Sequence, residues 1–286
     1  MAEHFHHQHR DAGQDHTTGQ DHAAELADFL DLDAKVLGTY LGQLTEWAGQ
    51  HAPDETRAIV DLGAGTGSGS LALAQRFEAA EIVAIDKSAL MLERLGAAAR
   101  EQGLAGRLRL VQADLDQAWP EVGSVDVAWA ASSLHEVADP DQVLRDVYAA
   151  LRPGGLLAVV EMDTLPRFLP DDVGLGRPGL ESRCHEALAQ AGWNAHPDWR
   201  SHLERAGFDV AAQRSFPIEA TSATSSIGRY ASAFLRRIRL ALEGKISRAD
   251  LDTLDQLLAD DSPHGILHRN DLTIRGSRTA WAALRR

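Results

Sequence analysis

The residues of this chain whose types and spacing suit chemistry cluster in its first half. Asp61-Leu-Gly-Ala-Gly-Thr-Gly-Ser-Gly69 places Gly63, Gly65 and Gly67 between an apolar run, Ala58 to Leu62, and a helical run from Ser68 to about Phe77. Glycines in a strand-to-helix turn let the backbone approach a ligand closely. A dinucleotide fingerprint would want a third glycine at position 68, where this chain has Ser68, although Gly69 stands next to it. Asp86 ends the next apolar run, and a carboxylate there can accept both hydroxyl hydrogens of a ribose. Asp114 follows a third run at the same expected sheet edge. Two carboxylates suit a nucleoside bearing an amine, and they oppose a pyrophosphate.

The elements that would position these residues alternate. Short apolar strands are expected at Ala58 to Leu62, Ile82 to Asp86, Leu108 to Val111, Val125 to Trp129 and Leu156 to Met162, with helical segments between most of them. Ser88 is placed to cap one helix ending near Gly103, and Asp139-Pro140 to open another that stops at Arg152-Pro-Gly-Gly155. Alternation of this kind predicts an α/β fold, a doubly wound and mostly parallel sheet covered on both faces. Beyond Asp163 a Pro- and Gly-containing stretch to Gly179 reads as a loop or lid, and helices resume near Glu181 to Ala191 and Asp198 to Ala206. Late strands are expected at Phe208 to Ser215 and within Leu272 to Leu284, with helices at Tyr230 to Leu242 and Arg248 to Leu258 between them, the second opened by Ser247 with Asp250 in a capping-box-like pair.

The glycine loop, Asp86, Ala113-Asp114 and Leu151-Arg-Pro-Gly-Gly155, in this order, resemble the successive motifs of class I S-adenosylmethionine-dependent methyltransferases, nearest the ubiquinone-biosynthesis-like small-molecule branch. The resemblance is close over about residues 55 to 165. It implies a seven-stranded Rossmann-like sheet, S-adenosylmethionine as cofactor, and methyl transfer to an O, N or C atom of a small molecule. By that resemblance Gly63, Gly65 and Gly67 pass under the amino-acid end of the cofactor and Asp86 holds its ribose. Asp114 would contact the adenine amine, Met91 and Leu115 would flank the ring, and Ala113 and Ala131 would complete the pocket. His135, in Ala130-Ala-Ser-Ser-Leu-His-Glu136, would face the substrate and is the candidate general base. Glu136 and Glu161 are acidic neighbours with no chemistry assigned. The competing readings are a nicotinamide-dependent oxidoreductase on the same fold and a cofactor-binding protein that methylates nothing.

Four segments are expected from composition and pattern: a disordered His-rich tail over residues 1–22, a helical cap over 23–50, the core over 51–220 and 271–286, and a helical insertion over 221–270. The cap and insertion are expected to close over the sheet's carboxyl edge, with Tyr40, Trp47, Tyr230 and Phe234 as an aromatic acceptor lining. The insertion reads equally well as an oligomer contact, which leaves a homodimer open. His4, His6, His7 and His9 suggest only incidental metal capture, so no metal site is expected. The formal charge of -14 disfavours nucleic acid as a partner, and Arg236, Arg237 and Arg239 read as a solvated helix face. No apolar run is long enough to span a bilayer, so no membrane partner and a cytoplasmic location are expected. Cys184, the one cysteine, has no partner for a disulfide or zinc site.

Overall fold

A computed structural model of the protein describes residues 15–193, 198–221 and 226–286. The histidines at 4, 6, 7 and 9 lie outside the described residues. Strands β1 (Ala58–Leu62), β2 (Glu81–Asp86), β3 (Leu108–Gln112), β4 (Val125–Ala131), β5 (Leu151–Met162), β6 (Asp209–Thr221) and β7 (Thr273–Leu284) form one seven-stranded sheet in the order β3-β2-β1-β4-β5-β7-β6. The first five run parallel, and β7 lies antiparallel between β5 and β6. The expected doubly wound, mostly parallel sheet is therefore present. Its strand order reverses between β1 and β4, and in open α/β sheets ligands bind outside the carboxyl ends at that switch.

Helices α1 (Asp15–Gly49), α2 (Ser68–Arg76), α3 (Ala89–Glu101), α4 (Pro140–Ala150), α5 (Leu180–Gln190), α6 (Trp199–Arg205), α7 (Ser226–Ala241) and α8 (Arg248–Leu258) cover the sheet and its carboxyl edge. Their starts follow the capping signals: Ser88 Oγ accepts from the Met91 amide at 3.4 Å, Asp139 from Gln142 at 3.0 Å, and Ser247 from Asp250 at 3.1 Å. Alternate strand residues feed two cores. Ile59, Ile82, Val127, Ala158 and Ala280 pack with Tyr40, Leu44 and Trp47 of α1, and this cluster continues into α5, α7 and α8. On the opposite face Val60, Val83, Ala128, Val159 and Ala283 pack with α4 and α6.

Three boundaries differ from the expected ones. Residues 15–22, expected in the disordered tail, belong to α1, which starts at Asp15 and reaches Gly49. Its apolar stripe is anchored in the core by Leu44 and Trp47, so the helix has a docked half from which to extend. Strand β6 continues through Thr221, paired with Thr273 of β7, so the insertion begins after that residue. Strand β5 starts at Leu151 and thus includes Arg152-Pro-Gly-Gly155. There Arg152 pairs with Asp126, whose other oxygen accepts the amides of Arg57 and Ala58 at 2.8 and 2.9 Å. This segment ties the starts of β1, β4 and β5 together at the edge opposite the glycine loop, a structural task.

Candidate active site

The turn after β1 is built on positive-φ glycines that also sit too close to their neighbours for a side chain. A Cβ at Gly63, where φ is 66°, would lie 2.6 Å from the Ser133 Cβ; one at Gly67, with φ of 94°, would lie 2.1 Å from Leu95 Cδ1. The loop therefore hugs both α3 and the turn that follows β4. The Gly65 amide donates to Asp86 Oδ2 at 2.8 Å, while Oδ1 of the same carboxylate accepts from the Ser88 amide at 2.8 Å. Asp86 is half-buried at the end of β2, and each oxygen keeps a lone pair for a further donor.

Beside it, Met91 is buried, Ala113 and Leu115 are partly buried, and Asp114 is exposed at the end of β3, where its Oδ1 accepts from the Asp116 amide at 3.1 Å. The Ala113 amide donates to the Asp86 carbonyl at 3.1 Å, which binds the two expected nucleoside-facing segments into one rim. Ala131, at the end of β4, is partly buried on the next strand past β1. The residues expected to hold S-adenosylmethionine thus share one edge around the topological switch.

Sequence reasoning did not single out Asp61. It is 3% exposed, accepts from Ser70 Oγ at 2.6 Å, and burial, with the Asp86 charge adding to it, pushes its pKa up to about 7. A buried carboxylate directly ahead of the glycine loop is costly without a positive partner. Positive ligand charge would relieve that cost. These groups fit a nucleoside-bearing cation.

The chain leaves β4 through Ser132, whose φ of 54° is the sole positive value for a non-glycine among the described residues. Its amide donates to Val160 at 2.8 Å, while the Ser132 and Ser133 hydroxyls are buried without partners. Such strain at a strand end is a mark of a functional turn. The turn delivers His135, whose Nδ1 lies 2.8 Å from Glu161 Oε2 and whose Nε2 lies 3.3 Å from Glu136 Oε1. Burial alone would pull the imidazole pKa down, but Glu136 and Glu161 outweigh it and push it up to about 9. His135 beside it, helped by Lys87 and Arg237 and against burial, holds Glu136 below the usual carboxylate range. At neutral pH the ring is therefore a cation, a donor to an anionic oxygen and a poor proton acceptor. The two acids noted without a role in the sequence are the partners that set this state.

The cap reaches the site. A Cβ on Gly65 would lie 3.1 Å from Leu30 Cδ1 of α1, and Phe29 stacks on Tyr230 of α7 at 5.2 Å. The four aromatics expected in the acceptor lining divide. Tyr230 faces a small cavity shared with Met162, Thr164 and Arg278, and Tyr40 packs its ring 5.4 Å from the Arg278 guanidinium. Phe234 packs against Phe168 at 5.4 Å, and Trp47 against Phe216 at 5.8 Å, both in the core. Of the arginine cluster, Arg236 pairs with Asp260 and Arg239 with Asp255, whereas Arg237 lies over Phe29 at 5.9 Å. Among the described residues no group of three or more His, Cys, Asp or Glu is placed to hold a metal ion, and no helix is long and apolar enough to cross a membrane.

Residues 59–155 match the family described as methyltransferase domain. The match takes in about a third of the chain, from β1 to the start of β5. Within the curated proteins the chain is 40% identical over 101 residues to trans-aconitate 2-methyltransferase of Deinococcus radiodurans, covering 35% of this chain and 36% of that protein. It is 36% identical over 127 residues to malonyl-[acyl-carrier protein] O-methyltransferase of Laribacter hongkongensis, covering 41% of this chain and 40% of the relative. Each match therefore spans well under half of the relative's length. A solved putative methyltransferase from Bacillus halodurans superposes with a TM-score of 0.53 at 16% identity, covering 84% of this chain and 98% of that one, a likeness of fold. The cap, the insertion and strands β6 and β7 lie outside the matched residues.

Proposed function

We propose that the protein transfers a methyl group from S-adenosylmethionine to a small acid, with a carboxylate oxygen as acceptor. The observation that carries the reading is the His135–Glu161–Glu136 arrangement beside the glycine loop and Asp86, because it offers a cation where the acceptor atom would sit. A sulfonium supplies an already activated methyl group when bound, so the protein's work is alignment and water exclusion. Asp86 and Asp114 would hold the nucleoside, and Asp61 would face the positive end. His135 Nε2–H, with the acceptor displacing the exposed Glu136 carboxylate from it, would donate to one carboxylate oxygen and leave the other free to attack. A carboxylate needs no base at neutral pH, and this matches a ring that already carries its proton. The names of the two relatives, each an acid or an acyl derivative of one, support the same acceptor class. Leu30 and Tyr230 would keep water from the methyl group.

Calorimetry tests the first half of the reading: S-adenosylmethionine and S-adenosylhomocysteine should bind saturably and NAD should not. Saturable NAD binding without either adenosyl ligand would overturn it in favour of hydride chemistry. For the acceptor, protein supplied with tritiated S-adenosylmethionine and a small-molecule extract should yield label that alkali releases as volatile methanol, the mark of a methyl ester. Label that survives alkali would place the methyl group on nitrogen, carbon or an ether oxygen.

A further inference from the structure

Three elements that the methyltransferase domain does not include meet at one ion pair. Asp33 of α1 accepts from the Tyr230 hydroxyl of α7 at 2.6 Å and from Arg278 Nη2 of β7, which lies 3.2 Å from Oδ1 and 3.4 Å from Oδ2. The side chains of Arg278 and Asp33 are only 15% and 19% exposed. A desolvated pair of this kind is a weak way to hold a fold together, since apolar side chains of similar volume do as well or better. Its position is informative. Arg278 stands opposite Met162 in the β5–β7 register, one step from Glu161, which holds His135. The guanidinium thus lies at the carboxyl edge of the sheet, beside the cavity that Tyr230, Met162 and Thr164 line.

We propose that Arg278 and Tyr230 form an anion subsite for a second carboxylate of the acceptor, and that the Asp33 carboxylate occupies it while the cap is closed. This rests on the methyl-transfer reading given above and specifies a polycarboxylate as the substrate class. Asp33 fills the subsite incompletely. It engages Nη2, while Arg278 Nε is buried without a hydrogen-bond partner. A free carboxylate can seat on Nε and Nη2 together in the bidentate fork that a guanidinium favours, whereas Asp33 reaches Nη2 alone. Exchanging one carboxylate for the other keeps the arginine charge balanced as the ligand enters. Arg237, over the Phe29 ring that stacks on Tyr230, and Lys87, which with it acts on Glu136, add positive potential to the site.

The test uses the full chain saturated with S-adenosylhomocysteine and titrated with trans-aconitate as the polycarboxylate probe, its trimethyl ester serving as the neutral control. The wild type should bind the acid and not the ester. Arg278→Lys, which keeps the charge and loses the fork, should bind the acid at least tenfold more weakly with S-adenosylhomocysteine affinity unchanged. Asp33→Asn should bind it at least threefold more tightly, because the resident competitor has lost its charge. A purely structural ion pair gives the opposite for Asp33→Asn: a lower melting temperature and no gain in affinity. That result, or equal affinity in Arg278→Lys, overturns the subsite. Wild type that binds S-adenosylhomocysteine but not trans-aconitate also overturns it and leaves the methyl-transfer reading standing. Wild type that binds no adenosyl ligand removes both.

Discussion

His135 Nδ1 lies 2.8 Å from Oε2 of Glu161, a carboxylate only 2% exposed at the end of β5. The contact fixes the ring across the gap between β4 and β5 and, with Glu136, raises its pKa to about 9. Because the folded value lies above the ordinary one, the stability gained is complete below about pH 6.5 and is lost as pH rises through about 9. At about 1.4 kcal/mol per unit, discounted for the ring's partial exposure, the loss is on the order of 2 kcal/mol. Thermal melts should show it between pH 6.5 and 9.5, and His135→Asn should remove that dependence.

Activity should follow the same titration. Methyl transfer to a carboxylate is expected to hold level from pH 7 to 8 and to fall through about 9, as the cation that binds the acceptor oxygen is lost. Glu161→Gln removes one of the charges that raise the ring, so its fall should begin at lower pH. A rate that instead climbs towards pH 9 would show His135 working as a base, and the acceptor would then be a hydroxyl.

Asp86→Asn should weaken S-adenosylhomocysteine binding at least tenfold in calorimetry, since hydrogen bonds to a charged group are worth about 1.5–3 kcal/mol each. The same carboxylate also receives the Gly65 and Ser88 amides, so the variant should lose about 1 kcal/mol of stability as well. Unchanged affinity in a folded variant would take the ribose away from Asp86.

How much of this was readable from the chain depends on the range of the interaction that carries it. The β–α alternation, the helix starts at Ser88, Asp139 and Ser247, and the strand-end carboxylates Asp86 and Asp114 are local patterns, and the structure places them at the expected elements. His135 and Glu161 stood in the sequence as separate residues. Their pairing spans 26 positions and depends on the β4–β5 register, which periodicity does not give. Asp33 and Arg278 are 245 residues apart, and each looks like an ordinary surface charge until α1 lies across β7. The Arg152-Pro-Gly-Gly155 motif shows the converse: it was easy to read, and its work is structural. The α1 start is not legible in the chain, because the polar composition of residues 15–22 hides an extension of a helix whose later turns are docked.

Gly67→Ala should destabilise the protein by about 2–4 kcal/mol, combining the left-handed backbone with an overpacked contact against Leu95. Gly103→Ala is the matched control. Its φ is also positive, at 70°, but nothing lies within 4 Å of an added Cβ, so only the backbone cost of about 1 kcal/mol remains. Chemical denaturation of the two variants separates the terms. Similar losses would mean that Leu95 moves aside freely and that the loop is not pressed against α3.

Asp61 supplies a prediction that links stability to ligand charge. Its folded pKa of about 7 lies above the ordinary 3.8, so the folded state favours the protonated acid and stability falls as pH rises from about 4 to about 7. At about 1.4 kcal/mol per unit the total is on the order of 4 kcal/mol. Asp61→Asn keeps an acceptor for the Ser70 hydroxyl and carries no charge, so it should flatten this dependence and raise stability at pH 8. The native acid persists at that cost if a cationic ligand needs it. Binding of S-adenosylmethionine, which brings a sulfonium and an ammonium, should drive Asp61 to ionise and release a fraction of a proton at pH 7. Calorimetry in two buffers of different ionisation enthalpy measures that proton directly. The wild type should show release and Asp61→Asn none, with the variant also binding the cofactor more weakly; proton-neutral binding by the wild type would separate Asp61 from the cofactor and leave it a strained residue of the β1 end.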